Sequence, residues 1–76
     1  MNYCYDKLKG RIKEILDTQD KYAEEIGISA TSANYKLNNK SFFTQNEIYN
    51  SIKVLKIPSN EIQEYFFTEE VEKNSI

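Results

Sequence analysis

The residue types that most often carry catalysis or bind metals are scarce in this chain. None of its 76 residues is histidine, and Cys4 is its single cysteine. A structural zinc site draws several ligands from Cys and His side chains, and a nucleophile–base pair of the Ser–His or Cys–His kind needs a histidine. The sequence therefore predicts no metal, no cofactor and no enzymatic activity.

The same scarcity bears on where the protein works. Cys4 has no disulfide partner within the chain, which suits a reducing compartment. The first residues lack the charged-then-apolar order of a signal peptide, and no apolar run approaches the ~20 residues that span a bilayer. We therefore expect a cytoplasmic protein that makes no use of a membrane.

Aromatic side chains offer a second kind of chemistry, because the chain has six Tyr and four Phe. Proteins that bind single-stranded nucleic acid interleave such rings with basic residues. Here the two clusters, Phe42-Phe43 and Tyr65-Phe66-Phe67, have few Lys or Arg nearby. Packing in the core or in a dimer is the favoured interpretation. Rings that a small core leaves uncovered would mark a surface for a partner.

The charge argues against a nucleic-acid partner. Residues 1–40 carry seven Lys or Arg against six acids (+1), and residues 41–76 carry three Lys against six Glu (−3), which together give the net charge of −2. A nucleic-acid-binding domain is expected to be basic. Few phosphates would be neutralised here, so non-specific affinity for DNA should be weak.

Hydrophobic spacing predicts the first helix. Leu8, Ile12, Ile15 and Leu16 recur at i, i+4, i+7 and i+8, which is the pattern of one buried helical face. Asp6 precedes this run and is a good N-cap residue. We expect the helix to begin after Asp6 with all four apolar residues facing the core.

Capping residues predict the last two helices. Thr44 and Glu47 have the spacing of a capping box, in which each side chain bonds the other residue's backbone N–H. Pro58 should break the chain after the fourth helix, and Ser59 should cap a short fifth helix. From Thr68 onward the sequence is acidic and has no periodicity, so residues 68–76 are expected to form a frayed tail.

Residues 18–39 contain the most informative pattern. Thr18 is an N-cap candidate, Gly27 supplies a backbone conformation that other residues resist, and Ser29 is placed to cap a helix ending near Leu37. Small Ala23, four residues before Gly27, would let the two helices cross closely. This is the pattern of a helix-turn-helix.

The pattern resembles that of the Cro/cI-type repressor family of phages and their bacterial relatives. The resemblance implies an all-α fold of five short helices, similar to lambda repressor, with a domain over residues 1–67 whose motif occupies residues 18–39. It also implies that the third helix enters the major groove of double-stranded DNA. Asn39 departs mildly from the family, in which many members have Asn-Gly at this point.

Two sets of residues match DNA-contacting positions of that family. The positions that meet base edges are Ala30, Thr31, Ser32 and Tyr35. The positions that meet the DNA backbone are Gln19, Asn34, Lys36, Asn38, Asn39 and Lys40. A plainer reading is open for several of them, since Thr31 and Ser32 suit any first helical turn and Asn34 and Lys36 suit any solvated surface.

Two functions follow as hypotheses. The main one is a sequence-specific DNA-binding transcriptional regulator, a Cro-like repressor that occludes a promoter as a homodimer on operator DNA. The alternative is a phage modulator or antirepressor that binds a partner repressor protein rather than DNA. The acidic balance favours the alternative, as does Ala30, where members of the family often have Gln.

Overall fold

A computed structural model describes residues 2–70 of the chain. Its helices are α1 (Asp6–Leu16), α2 (Gln19–Ile26), α3 (Ala30–Leu37), α4 (Gln45–Leu55) and α5 (Ile62–Phe66), the last preceded by a 3-10 turn (Ser59–Glu61). Within residues 2–70 the β-structure is limited to one isolated antiparallel bridge between Tyr3 and Glu69. The predicted all-α fold of five helices is confirmed.

One core joins all five helices. Burial of apolar side chains is the main favourable contribution to folding, and each helix turns its apolar stripe inward. The buried apolar residues are Tyr5, Leu8, Ile12, Tyr22, Ala23, Ile26, Ala33, Leu37, Leu55, Ile57, Tyr65 and Phe66. Helices α2 and α3 pack on each other across the turn that the sequence predicts, while α1 and α4 lie against α2.

Three of the expected caps are present. The hydroxyl oxygens of Thr18, Ser29 and Thr44 accept hydrogen bonds from the backbone N–H three residues later, at 3.1, 3.0 and 3.2 Å. Gly27 ends α2 with φ +82°, in the left-handed region that favours glycine. These local signals are reliable because the partners are neighbours in sequence.

Other local expectations are wrong. Asp6 is the first residue of α1 rather than its cap, and Tyr5 precedes it without a capping side-chain bond. Ser59 lies inside the 3-10 turn and caps no helix. Ile15, expected in the core, is 39% exposed because α1 turns it away from the other helices.

The start of the expected tail is paired with the N-terminal segment. Cys4 donates its backbone N–H to the carbonyl of Thr68 at 2.7 Å, and Glu70 donates to the carbonyl of Asn2 at 2.9 Å. This pairing extends the ordered chain beyond residue 67. The rest of the expected tail, residues 71–76, lies outside the described residues. No helix within residues 2–70 is long and apolar enough to cross a membrane.

Helix α4 has the capping box that the sequence predicts, and its effect on stability can be measured. Thr44→Ala removes the bond to the Glu47 N–H, so we expect the free energy of unfolding to fall by about 1 kcal/mol. Urea denaturation of the variant and the wild type gives this difference. Thr44→Ser, which keeps the hydroxyl, should stay within a few tenths of a kcal/mol of the wild type. Equal losses in the two variants would show that the cap does not stabilise α4.

Candidate functional site

Helix α3 exposes part of the set that the sequence assigns to base contacts. Ala30 and Thr31 are exposed, Ser32 is half-buried, and Tyr35 is 48% exposed. The ammonium of Lys40 lies 5.7 Å from the centre of the Tyr35 ring. The buried side of the helix holds Ala33 and Leu37, as expected.

The surface beside Ala30 carries mixed charge. A shallow cavity between α2 and α3 is lined in part by Asp20, Lys21, Glu24 and Ala30. Two carboxylates against one ammonium would repel phosphate more than attract it. Gln19, at the start of α2, is half-buried. The surface beside Ala30 therefore carries no excess of positive charge.

The Lys36 side chain lies neither on a DNA-facing surface nor in solvent, the two positions that the sequence suggests. Its side chain is buried between α3 and α4, and its ammonium lies 2.7 Å from Glu47 Oε1. The same ammonium donates a hydrogen bond of 3.2 Å to the backbone carbonyl of Phe42. The positive charge is therefore paired inside the protein and is withdrawn from any phosphate.

The asparagines after α3 also bond within the chain. Asn39 has φ +64°, and its side-chain amide pairs with the backbone of Tyr3: Oδ1 accepts from the N–H at 2.9 Å and Nδ2 donates to the carbonyl at 2.8 Å. Asn38 donates to the carbonyl of Asn34 at 2.8 Å. Asn34 and Lys40 are exposed. The pair between Asn39 and Tyr3 fastens the N-terminal segment to the loop after α3.

Hydrogen bonds hold the Glu47 carboxylate in its charged form. Burial by itself raises its pKa, but the bonds from Lys36 and from the backbone and side chain of Thr44 outweigh burial and leave the pKa below its usual value. Burial also raises the pKa of Tyr22 to about 12, and its hydroxyl lies 2.6 Å from that of Ser51. These polar groups join α2, α3 and α4 through satisfied bonds.

Aromatic rings gather where the N-terminal segment, the loop after α3 and the end of α5 meet. The ring pairs Tyr5–Phe43 and Phe43–Phe66 are edge-to-face with centres 5.5 Å apart, and Tyr3–Phe67 is edge-to-face at 6.0 Å. Tyr3 and Tyr5 lie 6.2 Å apart and join the two groups. Edge-to-face geometry suits the opposite charges of ring faces and edges. We call Tyr3, Tyr5, Phe43, Phe66 and Phe67 the aromatic cluster.

The aromatic cluster is open to solvent on one side. Together with Phe42 and Ile48 it lines a cavity of about 110 Å³, which we call the aromatic pocket. Phe42 is 75% exposed and Phe67 is 44% exposed, although both are large apolar side chains. An apolar cavity of roughly 150 Å³ can hold a benzene molecule, so this one is sized for an aliphatic side chain. Phe42 and Phe67 therefore leave apolar surface exposed beside the cavity, and apolar surface marks a binding site when the patch is large.

Comparison with known proteins gives the family. A family model described as "Protein of unknown function (DUF739)" matches residues 1–69. The chain belongs to the DUF739 family. A search of curated proteins gives no match. Among solved structures, the modulator of repression (MOR) of the temperate bacteriophage TP901-1 from Lactococcus lactis is similar to this DUF739 protein. The two share 35% identity over 95% of this chain and 97% of the other, with a TM-score of 0.76.

These findings correct the main functional expectation. The assignment to the Cro/cI-type repressor family is wrong, because the family match is to DUF739 and the similar structure is a modulator of repression. The prediction of a DNA-binding Cro-like repressor is therefore wrong as well. An operator duplex and a homodimer find no support in either comparison. The helix pair at residues 18–39 is real, but a helix-turn-helix is also compatible with a regulator that is not itself a repressor.

Sequence reasoning missed part of the aromatic pocket of this DUF739 protein. It singled out Phe42, Phe43, Phe66 and Phe67 but neither Tyr3 nor Tyr5. A signal was present, since Tyr3 and Tyr5 alternate at the two-residue period that places side chains on one face of an extended segment. Only the folded chain brings that segment against the loop after α3.

Proposed function

We propose that this protein is a modulator of repression that acts by binding a repressor protein. The observation that carries the proposal is the likeness to the phage modulator of repression, at 35% identity over nearly the whole of both chains. Neither enzymatic activity nor a cofactor enters the proposal. The protein would change the occupancy of an operator through its contact with the repressor.

The aromatic pocket is the proposed contact surface. Protein interfaces concentrate their binding energy in a few aromatic and other large anchors that fill desolvated pockets. Phe42 and Phe67 offer exposed rings at the rim, and a cavity of about 110 Å³ lies beside them. We propose that an apolar side chain of the repressor occupies this cavity and that Phe42 packs against the repressor beside it.

Charge supports a DNA-binding protein as the partner. This chain has a net charge of −2, whereas DNA-binding domains carry basic patches. Opposite charges accelerate encounter and disfavour acidic partners. Glu69, which pairs with Tyr3 in the bridge at the edge of the aromatic cluster, adds an exposed carboxylate near the proposed surface.

Replacing Phe42 tests the contact surface. Phe42→Ala removes an anchor that makes little contact within its own fold, so we expect unchanged stability and a Kd for the repressor raised about 30-fold, the effect of a typical hot-spot side chain. Binding is measured by titration calorimetry with candidate repressors encoded in the same genome, and stability by thermal melting.

Tyr49→Ala is the matched control. Tyr49 is also a large aromatic residue, 59% exposed on α4, but it does not line the aromatic pocket. Its replacement should leave the Kd within about twofold of the wild type, as for contacts outside a hot spot. Similar losses in both variants would place the contact surface elsewhere, and failure of every candidate repressor to bind would refute the proposed function.

A further inference from the structure

We propose that Lys36 and Glu47 are positioning residues that fix the backbone at Phe42, so that its exposed ring is held ready for a partner before binding. This inference rests on the proposed function in one respect: it assigns Phe42 to the contact surface. The positioning of Phe42 by Lys36 and Glu47 is a property of the free protein and is tested without the repressor. No DNA-related role is involved.

The loop that carries Phe42 has little support of its own. Among the described residues, residues 41–43 make no hydrogen bond from backbone to backbone. The Phe42 ring is 75% exposed and is absent from the ring pairs of the aromatic cluster. Packing of its own side chain therefore does not hold Phe42 in place.

Lys36 fixes the backbone of this loop through hydrogen bonds. An ammonium has three donors and no acceptor, and this one bonds the Phe42 carbonyl at 3.2 Å and Glu47 Oε1 at 2.7 Å. Because Lys36 belongs to α3 and Glu47 to α4, the carbonyl of Phe42 is tied to both helices that flank the loop. A charge-assisted bond away from water is stronger than a neutral one.

Glu47 fixes the other end of the same loop. Its Oε1 also accepts the backbone N–H of Thr44 at 2.9 Å. Phe43, between the two tied residues, has its ring packed between Tyr5 and Phe66. With Phe43 held inward and the backbone held on both sides of it, the Phe42 side chain is left to project outward.

Such an arrangement serves binding better than stability. Ordering a flexible segment at an interface costs free energy at the moment of association, and a segment already held in place avoids that cost. A buried charged pair could have been an apolar contact, which is often as stable. The choice of a lysine that reaches a loop carbonyl is explained by the need to fix a segment that carries an exposed ring.

The first test measures the free protein. The double variant Lys36→Met with Glu47→Gln removes both charges and keeps an N3 residue that can still serve the capping box. Backbone 15N relaxation should give the Phe42 N–H an order parameter near 0.85 in the wild type and below about 0.6 in the double variant. The values in α1 and α4 should not change. Rigidity at Phe42 in both proteins, or an equal loss everywhere, would overturn the proposal.

The second test is a double-mutant cycle in binding. Phe42→Ala should raise the Kd for the repressor about 30-fold in the wild type but only a few-fold in the Lys36→Met/Glu47→Gln background, because a loosely held ring contributes little. Equal effects in the two backgrounds would mean that the pair is only structural. Should the double variant melt below the assay temperature, both tests are run on all proteins at a lower temperature, with the same expectations.

The two tests separate the two proposals. If no repressor binds, the proposed function fails while the relaxation measurement still decides whether the pair holds Phe42. If the repressor binds and the cycle is additive, the proposed function stands and the positioning role falls.

Discussion

Replacing Lys36 by methionine is expected to lower the free energy of unfolding by about 3 kcal/mol, the lower end of the loss that follows when one partner of a buried ion pair is removed. In the variant only Thr44 still bonds the Glu47 carboxylate. The Glu47 side chain is 14% exposed, so the unpaired charge stays partly buried. For a 76-residue chain this is a large part of a total that is commonly ~5 kcal/mol or a little more. Urea denaturation at neutral pH measures it.

The double variant Lys36→Met with Glu47→Gln serves as the control. It removes both charges, so it should recover part of the loss in the single variant. A single-variant loss below about 1 kcal/mol, the value of an exposed pair, would show that water screens these charges.

Acid provides an independent check of the same pair. The folded-state pKa of Glu47 lies below its usual value, so its charged form stabilises the fold at neutral pH. That contribution is lost as the pH falls through the lowered pKa. The wild type should therefore lose more stability in acid than Glu47→Gln does. Parallel acid profiles for the two proteins would contradict the lowered pKa.

Gly27→Val is expected to lower the free energy of unfolding by about 2 kcal/mol, within the range for a residue forced into a rare backbone region. Gly27 has φ +82°, and a β-branched residue is a genuine outlier there. A Cβ at this position would meet no atom within 4 Å. The cost is therefore one of backbone conformation and not of crowding.

Gly10→Ala is the matched control, because a Cβ there also meets nothing within 4 Å. Gly10 lies in α1 at an ordinary helical conformation, so alanine should stabilise the protein by about 0.5–1 kcal/mol. A loss of stability in Gly27→Val together with a gain in Gly10→Ala would show that both effects come from the backbone conformation. A Gly27→Val protein as stable as the wild type would show that the turn between α2 and α3 does not need a left-handed residue.

The positive-φ residues show the limits of local reasoning. Gly27 and Asn39 are residue types that tolerate this conformation, and the sequence indicates that α2 and α3 end near these two residues. Asp17 and Lys56 also have positive φ, at 74° and 55°. At Lys56 the left-handed residue ends α4, with the N–H of Ile57 bonded to the carbonyl of Ile52 at 3.0 Å. The guanidinium of Arg11 in α1 also bonds the carbonyls of Leu55 and Lys56 at 2.9 and 3.2 Å. Those bonds cap the end of α4 from another helix, which no local pattern reveals.

The sequence by itself determined the parts of this protein that depend on near neighbours. The caps at Thr18, Ser29 and Thr44, the turn at Gly27 and the helical class all follow from residue types within a few positions of each other. A helix-turn-helix pattern is equally local, and so it predicted the helix pair correctly. It could not predict the function, because one fold carries different surfaces.

Only the tertiary structure decided which side chains are available to a partner. Lys36 has the type and position of a surface cation, yet packing of α3 against α4 buries it beside Glu47. Phe42 and Phe43 are adjacent and identical in type, yet the Phe43 ring is partly buried in the aromatic cluster and Phe42 is 75% exposed. Burial depends on contacts between residues far apart in sequence, so the core, the paired charges and the open aromatic pocket are defined only when the N-terminal segment, the loop after α3 and α5 come together.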